Sequence, residues 1–164
     1  MRMPLKDDII GVIHAAVDKG VEVSLCVVDG RIMSAEAGGA TFVDRANGRC
    51  VYLIHTHPRL VDSMYYSPST SDVLIAATER CCGKNAIDIL AYRGDDGRLV
   101  LKAYYLENPE KWNSIFSTMT DEEILQYLKT NLIATRTSIR TASQHERLWE
   151  EFLSTVGIKV ERLL

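Results

Sequence analysis

The segment Cys50-Val51-Tyr52-Leu53-Ile54-His55-Thr56-His57-Pro58 is a run of strand-forming residues that ends on two histidines and a proline. The turn signal Asn47-Gly48 precedes it, and Pro58, which lacks a backbone N–H, stops it. Successive side chains of a strand point to opposite faces, so His55 and His57 project from the same face at the strand end. Two imidazoles there converge on one point.

The elements around this strand follow from periodicity and turn chemistry. Upstream, Leu5, Ile9, Ile10, Val12, Ile13, Ala16 and Val17 recur at helical spacing, with Asp7 and Asp8 near the start and Lys19-Gly20 at the end, which predicts an amphipathic helix. Val21 to Val28, the Asp29-Gly30 turn and Arg31 to Ala35 read as a hairpin, and Ala40 to Asp44 as a short strand. Downstream, an irregular stretch runs to Pro68. Ser69, with Asp72 three residues on, then caps a helix through Val73, Leu74, Ala76 and Ala77 towards Gly83. Ala86 to Arg93 and Arg98 to Leu106 are strands about the turn Gly94-Asp95-Asp96-Gly97.

Beyond Asn108-Pro109 the pattern turns helical: around Trp112 to Phe116, after Thr120 with Glu123, and from Ser143 with Glu146 to Gly157. Ile158 to Leu164 reads as a last strand or a docked tail. This order predicts an α/β (α+β) fold. Its mixed, largely antiparallel sheet carries the first helix on one side and the Ser69 helix on the other. Residues 1–108 form the core of that reading, and 109–164 a helical C-terminal extension packed on it.

A chain of 164 residues that is 46% hydrophobic and 25% charged has the size and composition of one soluble domain with a real core. No apolar stretch approaches the roughly 20 residues that cross a bilayer, and Met1 to Lys6 is followed by Asp7 and Asp8, not by an apolar leader core. A cytoplasmic protein without a membrane partner is expected. Four cysteines, Cys26, Cys50, Cys81 and Cys82, occur in a chain too long to need disulfides, so reduced thiols are expected. A net charge of −3 leaves no basic footprint for dedicated nucleic-acid binding. Trp112, Phe116, Tyr127, Trp149 and Phe152 read as core or homodimer contact through the C-terminal helices, and His14 and His145 as surface or capping residues.

The candidate site is Glu22, His55, His57, Ser69 and Asp72. Asp72, in the first turn of its helix, adds an oxygen to the two imidazoles and completes a His, His, Asp set with an open fourth position, the build of a catalytic zinc site. Zinc lowers the pKa of its bound water towards about 7 and so supplies a nucleophile. A carboxylate must still move the proton. Val21, Val23, Leu25 and Val27 mark one face of their strand, which leaves Glu22 and Ser24 on the other, and Glu22 is the candidate acid/base. Ser69 is placed to hydrogen-bond a developing oxyanion. The same residue types also have plainer readings, Ser69 and Asp72 as a helix cap with an acidic first turn and Glu22 as a solvent-facing strand residue.

Glu22, His55-Thr56-His57-Pro58 and Ser69-Thr70-Ser71-Asp72, in that order and on those elements, resemble the JAB/MPN domain family with its JAMM zinc metalloprotease motif, in a prokaryotic-type member. The resemblance covers roughly residues 5–106. It implies zinc on His55, His57 and Asp72, Glu22 as general acid/base and Ser69 at the oxyanion. It also implies hydrolysis of an amide in a peptide or protein, often an isopeptide bond to a ubiquitin-like partner. Two features depart from the family pattern. The interval from His57 to Ser69 is a few residues longer, and the glycine that often follows the glutamate is absent from Glu22-Val23-Ser24-Leu25, which keeps Glu36 open as the alternative base.

Three other functions make different demands on the residues. A catalytically silent scaffold of the same fold, acting as a protein-interaction module, would normally lack a motif residue, and here every expected type is present. A two-metal phosphoesterase needs more ligands than His55, His57 and Asp72 offer in a chain with four histidines. Zinc deamination needs a His-x-Glu and a Cys-x-x-Cys, which do not occur.

Overall fold

The Asp29-Gly30 turn folds as its sequence dictates: both residues take positive φ, 50° and 73°, the backbone that a two-residue hairpin turn requires. It joins β1 (Val23–Val28) to β2 (Arg31–Ala37) in antiparallel register, with Val28 opposite Arg31 and Ser24 opposite Glu36. The structure is a computed structural model and describes residues 1–37, 50–58, 65–78, 87–137 and 141–164, with side chains given to 135 in the fourth of these segments. The strand expected at 40–44, and Cys81 and Cys82, lie outside the described residues.

The remaining elements are α1 (Asp7–Val17), β3 (Tyr52–Thr56), α2 (Thr70–Thr78), β4 (Ile87–Arg93), β5 (Leu99–Leu106), α3 (Pro109–Phe116), α4 (Asp121–Thr137), α5 (Ala142–Thr155) and β6 (Ile158–Arg162). Six strands form one mixed sheet in the order β2-β1-β3-β4-β5-β6, with β1 antiparallel to both neighbours and β3 parallel to β4. The predicted α/β class, with helices at the C-terminal end of the chain, is therefore what the protein adopts. A parallel pair needs a crossover, and the segment between β3 and β4 contains α2. No helix among the described residues is long and apolar enough to cross a membrane.

The chain divides into two compact units. The first takes the described residues within 1–66, 79–103 and 161–164. Its core is one sheet face, Val23, Leu25, Val27, Ile54, Ile89, Ala91, Leu99, Leu101 and Ala103, covered by Ile9, Ile13, Ala16 and Val17 of α1. The alternating residues of the other face are polar to a degree unusual for buried positions: Ser24, His55, Asp88 and Lys102 are all buried. Arg93 of β4 donates to both carboxylate oxygens of Asp18 at the end of α1, at 2.9 and 3.1 Å, and this hydrogen bonding holds the Asp18 carboxyl below its usual range.

The second unit takes 67–78 and 104–160. The aromatic residues singled out above pack in a chain: Trp112 on Phe116, Phe116 on Tyr127, Tyr127 near Phe152, and Phe152 stacked on Trp149 at 5.4 Å. The Thr120 and Glu123 capping pair forms as predicted. The next helix starts slightly earlier than expected, with Thr141 and not Ser143 accepting from Gln144 N. His145, expected at the surface, is buried. From α5, the Trp149 indole N–H donates to the carbonyl of Pro68 at 3.0 Å, and Glu150 accepts from the Ser67 hydroxyl at 3.1 Å.

The thiol expectation fails at one pair, since Cys26 and Cys50 form a disulfide across 24 residues, with Cα atoms 5.3 Å apart. Val51 N donates to Val27 O and brings the entry to β3 against β1, a long-range adjacency that a cysteine count does not contain. Such bridges are commoner in oxidising compartments than in a reducing cytoplasm.

Three outcomes follow for stability. Mass mapping without reductant recovers Cys26 and Cys50 in one linked peptide, and reduction lowers unfolding stability by about 3.5 kcal/mol, the chain-entropy value for a loop of this length. Trp149→Phe leaves the buried Pro68 carbonyl without its indole donor and costs about 1–3 kcal/mol in a urea titration. The lowered Asp18 pKa contributes stability that is present above its unfolded value and lost as pH falls through the lower folded value. Asp18→Asn therefore shows a smaller drop in urea midpoint than wild type between about pH 6 and pH 3.

Candidate metal centre

Strand pairing builds the site. In the antiparallel β1/β3 ladder Ser24 lies opposite His55, Leu25 opposite Ile54 and Cys26 opposite Leu53. Residues opposite one another share a face, so His55 shares the polar face with Ser24, and Glu22 and His57 continue that face one step further along. Two bonds extend the ladder to these end positions. The Thr56 hydroxyl accepts from Val23 N at 2.9 Å in a buried contact, and His57 N donates to Ala91 O of β4 at 2.9 Å. The backbone on both sides of the site is thereby held.

The imidazoles meet through Nε2, with the two nitrogens 3.1 Å apart, ring centroids 4.8 Å apart and planes tilted by 59°. One ligand atom from each of Glu22, His55 and His57 lies within 4.8 Å of the others, with His55 buried and the other two half-buried. Among the described residues this is the group of His, Cys, Asp and Glu side chains that can hold a metal ion. Two nitrogens on a tetrahedral metal at about 2.0–2.1 Å stand about 3.3 Å apart, so the Nε2 separation already fits a shared ion. The ring of His57 is oriented from behind: its Nδ1 lies 3.1 Å from the carbonyl oxygen of Tyr65. A carbonyl only accepts, so Nδ1 carries the hydrogen and Nε2 presents its lone pair to the site.

The ladder places Glu22 and Glu36 differently. Glu36 is in β2, opposite Ser24, and β1 stands between it and β3. Glu22 is on β1's own approach to the site, and its carboxylate joins the two histidines.

Ser69 and Asp72 belong to the second unit and are described there. Ser69 N donates to Asp72 Oδ2 at 2.8 Å, and Asp72 N donates to Ser69 Oγ at 3.1 Å. This reciprocal pair is the predicted cap, with Asp72 buried at the first turn of α2. Capping through Oδ2 does not exhaust an ionised carboxylate, which has about four lone-pair directions.

The sequence reading missed two contributors. Thr56, between the two histidines, contributes through its hydroxyl, which accepts from Val23 N beside Glu22. Tyr65 acts through its carbonyl, for which no side-chain signal exists. His14, expected as a surface or capping residue, is exposed on α1 and lies against Arg93.

Comparison with protein-family models finds no match for the chain, and comparison with curated proteins finds none either. What stands is a mixed α/β fold carrying a Glu, His, His cluster that can bind a metal ion.

Proposed function

We propose that the protein is a zinc-dependent hydrolase of amide bonds, a peptidase or isopeptidase of the JAMM type. The observation that carries this reading is the convergence of His55 Nε2 and His57 Nε2 at 3.1 Å with the Glu22 carboxylate beside them. Two neutral imidazoles with a nearby carboxylate suit zinc better than calcium or magnesium, which take oxygen ligands. In this reading His55, His57 and Asp72 hold the ion. When bound, zinc supplies Lewis acidity that polarises a substrate carbonyl and brings the pKa of a water to about 7.

The protein's own groups do the rest. Glu22 takes a proton from the attacking water and returns it to the departing amine, the step that amide hydrolysis needs because an amide nitrogen is a poor leaving group until protonated. A Glu22 carboxylate oxygen lies within 4.8 Å of the imidazole nitrogens, close enough to reach a water held at the same point. Ser69 donates its hydroxyl to the developing oxyanion while its backbone N–H remains engaged by Asp72. The substrate class is a peptide or protein amide, with lysine-linked conjugates of a ubiquitin-like protein as the form to try first.

Purified protein is expected to hold about one zinc per chain by elemental analysis, and His57→Ala and Asp72→Ala to lose it. Glu22→Gln keeps the metal while hydrolysis of peptide and isopeptide substrates falls by about 10²–10⁴-fold. A folded wild type that takes up no zinc when supplied with it, or a Glu22→Gln variant as active as wild type, contradicts the proposal. Zinc bound by a protein that cleaves neither kind of substrate supports the non-catalytic scaffold instead.

A further inference from the structure

Lys102 is a charged side chain almost wholly withdrawn from solvent, at 2% exposure, in the middle of β5. Its neighbours Leu101 and Ala103 point into the apolar core beneath α1. By alternation Lys102 stands on the opposite face, the one that carries Ser24 and His55. A buried ammonium is costly and is retained only where it is engaged. Its Nζ donates to the carbonyl of Tyr66 at 2.8 Å and lies 5.6 Å from the centre of the Tyr92 ring.

The residue before Tyr66 is Tyr65, whose carbonyl receives the Nδ1–H of His57. The Tyr65 ring packs edge-on against Tyr92 at 5.8 Å, the same ring that faces Lys102. Lys102 and Tyr92 thus grip two consecutive residues, Tyr65 and Tyr66, by a carbonyl and by a ring. This holds the Tyr65 carbonyl where it selects the His57 tautomer. With Nδ1 protonated, Nε2 of His57 is an acceptor, and His55 Nε2 at 3.1 Å is the donor to it until metal binding shifts the His55 hydrogen from Nε2 to Nδ1.

We propose that Lys102 is a positioning residue for the metal centre: by fixing the Tyr65–Tyr66 backbone it holds His57 as the Nδ1–H tautomer with Nε2 ready to ligate. The role rests on the metal-binding part of the function proposed above and not on its amide chemistry. Outer-shell partners of ligating histidines commonly change metal affinity by about 10–100-fold when removed, because they set both ring orientation and ligand basicity.

The experiment combines zinc titration against a chromophoric chelator with long-range ¹H–¹⁵N correlation of the histidine rings in metal-free protein at about pH 8.5, where free imidazole is neutral. Metal-free wild type shows His57 as the Nδ1–H tautomer. Lys102→Met, which keeps the length of the chain and removes the donor, shows a mixture of tautomers and binds zinc about 10–100-fold more weakly, with cooperative thermal unfolding retained. The Nε2–H tautomer in wild type overturns the proposal even if the variant does not fold. So does an unchanged zinc affinity in a folded Lys102→Met protein. Wild type that binds zinc and shows this tautomer pattern, yet cleaves no amide, removes the hydrolase reading and upholds the role of Lys102.

Discussion

The register between β1 and β3 is the constraint on which the candidate metal centre depends. With Ser24 opposite His55, the polar residues of both strands fall on one face and the apolar residues Leu25 and Ile54 on the other, where α1 covers them. A slip of one residue would turn every side chain of a strand over, sending imidazoles into the apolar core and isoleucine to the polar face. The burial of Leu25, Ile54, Ile89 and Leu101 therefore does more than stabilise the sheet. It specifies the pairing that brings Glu22 to the histidines, and the Thr56 hydroxyl on Val23 N secures the last step at the strand end.

The two faces of this sheet divide the work. One is an ordinary core of branched aliphatic side chains beneath an amphipathic helix. The other holds Ser24, His55, Asp88 and Lys102, groups whose withdrawal from water costs free energy unless each is engaged. Such an investment of polar residues is the pattern of a site whose geometry matters more than its contribution to stability. Tyr65 and Tyr66 show how it is sustained. The Tyr66 carbonyl accepts from Lys102, the Tyr65 ring packs on Tyr92, and the Tyr65 carbonyl lies 3.1 Å from Nδ1 of His57.

What the sequence made legible was local. Alternation placed His55 and His57 on one face because the rule acts within a strand. The Asp29-Gly30 hairpin turn and the Ser69 and Asp72 cap were equally readable, since each is decided within four residues. Non-local facts were harder. Cys26 and Cys50 pair only because β3 returns beside β1, and Glu22 joins the histidines while Glu36 lies in β2, with β1 between β2 and β3. Lys102 carried no warning at all, for a lysine within a strand ordinarily extends its ammonium to water. Its burial is decided by the backbone carbonyl of Tyr66, a residue 36 positions away.

In the proposed centre two imidazole nitrogens share one ion. X-ray absorption at the zinc edge of the loaded protein tests this most directly. It is expected to show a shell of nitrogen and oxygen scatterers at about 2.0–2.1 Å, with the outer-shell pattern of two imidazole rings that falls to one ring in His55→Ala. A sulfur shell at about 2.3 Å, or an imidazole pattern unchanged in that variant, would place the metal elsewhere and contradict the site described above.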